Sequence, residues 1–290
     1  MATSLPAERF APRARRAMRL RHLGVAALSL PALLFLALIL LYPLSRFVVR
    51  GLDEGGLAMY RDVVTDAVYL RVFLQTFLIG IASTVLTIAI AYPLAHFLAT
   101  TNRVMASVGF FFVLLPFWTS IVVRTYAWMI LLGRNGIINS TLLQLGLVDE
   151  PVPLMFNNIG NLIGMVHWLL PFAVFPIYGS MARLDGRLMR AAGGLGASDW
   201  QSFRRVYLPL TLPGVLAAAG IVFVLSIAAF VTPVLLGGGK VIMIAQIIEQ
   251  QVRQFLDWPL AAALAVILTV AALAFYAGLS RALGRSRHVV

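Results

Sequence analysis

Six apolar stretches, each long enough to cross a lipid bilayer, divide this 290-residue sequence. They fall at about residues 23–45, 72–97, 104–132, 159–181, 212–236 and 259–279, and each is bounded by charge, Pro or Gly. A hydrocarbon core about 30 Å thick takes roughly 20 helical residues at 1.5 Å per residue. The pattern therefore predicts an all-α integral membrane protein with six transmembrane helices. Composition supports this: 61% of residues are hydrophobic and 12% charged, against about 45–50% and about 25% in soluble domains. Cysteine is absent, which excludes disulfide frameworks, thiolate zinc sites, iron–sulfur clusters and cysteine nucleophiles.

The net charge of +12 would suggest nucleic acid in a soluble chain. Here its distribution reads as topology instead. With the N-terminus placed in the cytoplasm, fifteen Lys and Arg fall in inside segments and seven in outside ones. Arg124 is left within the third span. Three acids, Glu8, Asp185 and Asp199, lie inside and eight outside. The positive-inside bias places both termini in the cytoplasm, with the basic segments against anionic lipid and no nucleic-acid partner. Residues 1–22 read as a basic cytoplasmic tail, 23–71 as the first span and its outer loop, 72–283 as the core transmembrane domain, and 284–290 as a second tail. The first apolar run exceeds the 7–15 residues of a signal-peptide core and lacks a small-x-small cleavage site, so it reads as a retained helix.

An energy source is missing from the chain. Gly237-Gly238-Gly239-Lys240 is the nearest approach to a phosphate loop, but Val234 stands where a first Gly is needed and no Ser or Thr follows the Lys. All eleven acids fall outside the six spans, which disfavours ion coupling through intramembrane carboxylates. His96 and His167 have no His or carboxylate three or four positions away, so no metal site is expected, and both read as packing residues. Arg124 reads as a group that satisfies nearby carbonyls or reaches an outer acid, or as one that lines a pathway. Gly160 and Gly164 form a GxxxG pair suited to tight helix packing.

The loop 183–213 is too polar to insert, yet it is patterned as two short helices. The first is expected over about 185–195. Gly193, Gly194 and Gly196 then provide a break tolerant of positive φ. Ser198 with Gln201 three residues on forms a capping-box pattern for the second helix, which carries Trp200, Phe203, Val206 and Tyr207 beside Arg204 and Arg205. Pro209 is expected to end it, and Pro213 to open the fifth span. Such a helix suits a groove on a soluble partner or the plane of an anionic leaflet, and the pattern leaves both open.

The run Arg190-Ala191-Ala192-Gly193-Gly194-Leu195-Gly196-Ala197-Ser198, followed by Leu208-Pro209, resembles the EAA loop of ABC importer permeases. Arg190 stands where that family carries Glu. The segments 115–120, 124–128, 136–140, 170–172, 230–238 and 257–259 extend the resemblance to the spermidine/putrescine permease branch. The resemblance implies a type I importer permease fold with the loop as the coupling helix. Arg190, Ala191, Ala192, Gly196, Ala197, Ser198, Trp200, Phe203 and Pro209 would then form the contact with a cytoplasmic ATPase. It further implies an ATPase dimer, a second permease subunit (hetero- or homodimer), an extracytoplasmic substrate-binding protein, and residence in a bacterial inner membrane. ATP and Mg would be bound by the ATPase, with no cofactor on this chain and no enzymatic activity of its own. A pathway is expected from Trp118, Thr119, Arg124, Tyr126, Trp168, Phe172, Phe230 and Thr232, whose aromatics could hold an ammonium group by cation–π contact or act as packing and interface residues. The competing reading is a stand-alone channel or ion-coupled carrier, with a membrane enzyme third.

Overall fold

A computed structural model describes residues 56–284 together with 30–39, 41, 42, 45, 46, 48 and 49. The expected tails, 1–22 and 284–290, lie outside these except for Gly284, as does part of the first expected span. Within that span the described portion includes α1, Leu30–Ile39. The other elements are helices too: α2 Gly56–Thr65, α3 Ala67–Thr100, α4 Arg103–Trp118, α5 Ile121–Leu132, α6 Ile137–Gln144 and α7 Asn158–Met181. There follow α8 Arg187–Gly194, α9 Asp199–Ser202, α10 Leu208–Ile227, α11 Val231–Gly237, α12 Ile244–Gln250 and α13 Trp258–Gly284.

Starts are set by side-chain caps on the polar residues between apolar runs. Asp66 accepts from Val68 N at the head of α3, Asn102 from Met105 N at α4, and Asn157 from Ile159 and Gly160 N at α7. Each satisfies amide donors that a helix start leaves unpaired.

Helices α3, α7 and α10 pack on one another to form the centre of the bundle. Ala91, Ala95, Leu98, Met165, Leu169, Ala173, Ile177, Met181 and Tyr207 are buried in its main cluster. Small residues set the crossings, as expected where lipid removes the hydrophobic drive between helices and close packing must replace it. A methyl group at Gly80 of α3 would overlap Ile227 of α10, and one at Gly214 of α10 would overlap Ser180 and the Pro176 carbonyl of α7. The GxxxG expectation holds at Gly164, where a methyl group would run into Thr232 and Leu236 of α11.

Four single helices among the described residues are long and apolar enough to cross a membrane: Ala67–Thr100, Asn158–Met181, Asp199–Ile227 and Trp258–Gly278. The third expected span is broken. Arg103–Trp118 and Ile121–Gln144 meet at 105°, with Thr119 and Ser120 extended between them at ψ 136° and 138°. The break falls at two hydroxyl residues, which compete for backbone partners in place of the helix ladder. Apolar continuity cannot register such a bend.

The fifth span is displaced toward the N-terminus, and Pro209 does not end a helix. The chain is helical without interruption over Asp199–Ile227, because Phe203–Tyr207 widens to a π turn in which Leu208 N bonds the Phe203 carbonyl. The wider turn lies directly before Pro209, which has no N–H and would open an ordinary ladder there. At the far end the helix stops at Ile227, and Phe230 adopts φ −129°, ψ −35° before α11 begins. Pro233 explains the second break. Its missing N–H is harmless in the first turn of α11, whereas a continuous helix would leave the Ala229 carbonyl without a partner.

Candidate functional site

The loop after α7 is built as two capped helices meeting at a tight turn. Asp185 Oδ1 accepts from Arg187 N at the start of α8, 2.8 Å away. At its end the Ala197 N–H bonds the Ala192 carbonyl at 3.1 Å, and the Gly196 N–H bonds the Gly193 carbonyl at 2.9 Å. With Gly196 at φ +85°, these two bonds form a Schellman closure, a geometry that needs a residue free of the left-handed penalty. Gly193 and Gly194 do not share that role; both lie inside α8. Beyond the turn the capping box is present in both directions, with Gln201 N to Ser198 Oγ at 3.3 Å and Ser198 N to Gln201 Oε1 at 3.1 Å.

This construction presents an apolar tip. Leu195, at the apex, is 91% exposed and Trp200 66% exposed. Arg190, Ala191, Gly196 and Ser198 are also exposed, Ala192, Ala197 and Phe203 half-buried, and Pro209 exposed on the rod behind them. Leu195 is absent from the expected contact set, because a Leu between glycines carries no sequence signal of its exposure. Arg187, Arg190, Arg204 and Arg205 flank this apolar tip, all four exposed.

An aromatic stack leads from this tip into the bundle. Trp200 and Phe203 lie 5.7 Å apart at 20°, and Phe203 and Tyr207 5.8 Å apart at 24°. Tyr207, only 9% exposed, meets His96 of α3 edge-on at 5.1 Å. Its hydroxyl also lies 3.0 Å from His96 Nδ1. His96 thus has a packing partner, and His167 has another, accepting from Trp128 Nε1 at 3.1 Å.

The eight expected pathway residues separate into several groups. Trp168 and Phe172 of α7 are brought together, with Phe117 of α4 5.1 Å from Phe172. Thr119 and Arg124 converge on the Pro116 carbonyl, which accepts from Thr119 Oγ1 at 3.2 Å and Arg124 Nη1 at 2.5 Å. The bend frees that carbonyl, so both residues close the broken helix end. Thr232 is buried against Gly164, whereas Trp118, Tyr126 and Phe230 are 72%, 52% and 40% exposed. On α7 the indole N–H of Trp168 and both amide atoms of Asn161 are buried without a hydrogen-bond partner in this conformation. Seven residues apart, they share a helix face.

Comparison with known proteins places these features in context. The family described as the binding-protein-dependent transport system inner membrane component matches residues 5–287. The spermidine/putrescine transport system permease protein PotB of Escherichia coli K12 is 37% identical over 205 residues, covering 71% of this chain and 74% of that one. The inner membrane ABC transporter permease protein YdcU of the same organism is 29% identical over 257 residues, covering 84% and 80%. In fold, the chain is similar to one from the crystal structure of a bacterial alginate ABC transporter in complex with an alginate-pentasaccharide-bound periplasmic protein. There the TM-score is 0.73 at 18% identity, covering 91% of this chain and 96% of that one.

Proposed function

Since the chain belongs to the binding-protein-dependent transport system inner membrane component family, we propose that it is one permease subunit of an ATP-driven importer and that its substrate is a polyamine. The observation that carries the transport step is the tip at Leu195 and Trp200, rigidly capped and set on the end of a rod that is helical over Asp199–Ile227. A push on that tip by a closing ATPase dimer reaches the interior of the bundle along an unbroken helix. In this reading the loop 183–213 and both termini are cytoplasmic, the stretch 23–45 supplies a sixth span, and the protein resides in a bacterial inner membrane. ATP and Mg are bound by the ATPase. A second permease subunit completes the pathway, and the segments at the opposite end, including 133–158 and 237–258, receive an extracytoplasmic binding protein.

The substrate class is supported by the PotB relatives and by the eight acids on the outer side of this topology. Within the bundle, the α7 face bearing Asn161, Trp168 and Phe172 is the strongest candidate for a pathway wall. A buried polar group without a partner costs about 1–3 kcal/mol, so Asn161 and Trp168 gain most from a state in which water or substrate reaches them. Uptake of labelled putrescine and spermidine by proteoliposomes holding the full complex tests the assignment. Saturable uptake that requires both ATP and the binding protein is expected. Binding-protein-stimulated ATP hydrolysis without polyamine uptake would reject the substrate and retain the mechanism.

A further inference from the structure

Helix α10 is continuous with the exposed tip, but α3 is not; it belongs to a part of the chain more than a hundred residues away. Two hydrogen-bonded rungs nevertheless join them. The Tyr207 hydroxyl lies 3.0 Å from His96 Nδ1, and the Tyr92 hydroxyl lies 3.0 Å from Thr211 Oγ1. The partners are spaced four apart on both helices, 92 and 96 against 211 and 207, so the rungs stack one helical turn apart across an antiparallel pair. The Ser180 hydroxyl of α7 donates to the Ile177 carbonyl of its own helix at 2.8 Å and lies 3.3 Å from the Thr211 carbonyl, bringing the third core helix to the same point.

The rungs lie at the loop end of the α3–α10 interface, which is closely packed further along at Gly80. Beside them, a cavity of about 570 Å³ separates the loop from the ends of α3 and α7, lined in part by Thr100, Met181, Leu184, Met189 and Val206. Phe203, stacked on Tyr207, also meets the rings of Tyr92 and His96 edge-on at 6.3 and 6.4 Å. Lateral contact between tip and α3 is therefore concentrated in four side chains and one ring.

We propose that His96 and Tyr207, backed by Tyr92 and Thr211, are positioning residues for transport: a clasp that makes α3 move with the docking helix. Further along, α3 and α10 are also held together where Gly80 meets Phe223, Ser226 and Ile227, so the clasp is the link that passes displacement of the tip to α3 at the end where the tip sits. This inference rests on the reading of the tip as the ATPase-docking surface.

The experiment uses the assembled complex and reads two quantities: the ATPase retained on purification, and uptake per ATP hydrolysed. Tyr207→Phe keeps the ring and removes only the hydroxyl, while His96→Leu removes the acceptor and donor together. Both should retain the ATPase. In both, uptake per ATP should fall by about tenfold, the size expected for loss of roughly 1.4 kcal/mol of coupling. His96→Asn, whose amide places a polar atom near the position of Nδ1, should recover most of that loss, which simple destabilisation would not permit. Wild-type uptake per ATP in Tyr207→Phe overturns the clasp. So does loss of the ATPase from Tyr207→Phe or His96→Leu, since the residues would then hold the docking surface itself. The docking reading fails separately, if Trp200→Ala and Leu195→Ser retain the ATPase and full uptake.

Discussion

At Gly196 the backbone sits at φ +85° with open space around the position a Cβ would take. Substitution there meets a conformational penalty and no clash, about 1–2 kcal/mol for an ordinary L-residue and more for a β-branched one. Gly196→Val should therefore open the Schellman turn and abolish ATP-dependent uptake, while Gly196→Asn, whose side chain tolerates the left-handed region, should keep a substantial fraction. Equal uptake by the two variants would contradict the turn's role. Asn139 offers a stability test at the same scale. Fully buried, it donates to the Gly133 and Val152 carbonyls at 3.0 Å each and accepts from Val152 N at 2.9 Å. Asn139→Ala should cost about 2–4 kcal/mol through the groups it leaves unpaired, read as a lower thermal midpoint in detergent. An unchanged midpoint would show that the 133–152 segment is held by other contacts. The Gly196 turn and the Ser198–Gln201 box were legible in the sequence because their partners lie within a few residues. The rungs were not. Tyr92 and Thr211 are 119 positions apart, and His96 and Tyr207 are 111 apart, so nothing in the local pattern pairs them.

Among the elements, apolar length located α3, α7 and α13 to within a few residues, since burial in lipid imposes that length directly. It missed what happens inside a stretch. The bend at Thr119–Ser120 and the stop after Ile227 both lie in continuous apolar sequence, and each follows from a local backbone demand that hydropathy does not carry. Pro209 misled in the opposite direction: a π turn absorbed it, so a helix end expected from the residue type became a continuous rod. At the bend, Arg124→Met keeps the length and apolar stem but removes the guanidinium that donates to the Pro116 carbonyl. That carbonyl keeps Thr119 as a partner, so a loss of about 1–2 kcal/mol in stability is expected, with polyamine uptake largely retained. A collapse of uptake at unchanged stability would instead make Arg124 a pathway group.

For the whole molecule, three helices crossing at small residues form a compact centre, one end of which carries the exposed tip at Leu195 and Trp200. In the proposed function, the stack of Trp200, Phe203 and Tyr207 and the rungs to α3 are what make that tip a lever on the centre. The chain belongs to a family of membrane transport components, a conclusion reached from sequence through the loop motif and the distributed segments beyond it. The absence of cysteine allows a direct test of where the lever is pushed. Leu195→Cys, labelled with a photoreactive maleimide in the intact complex and irradiated, should yield a covalent adduct with the ATPase chain. The same label on Leu145→Cys, at the far end of α6 and 67% exposed, should yield none. Adducts with lipid alone at position 195 would contradict the account, placing the tip on the membrane surface rather than in the ATPase.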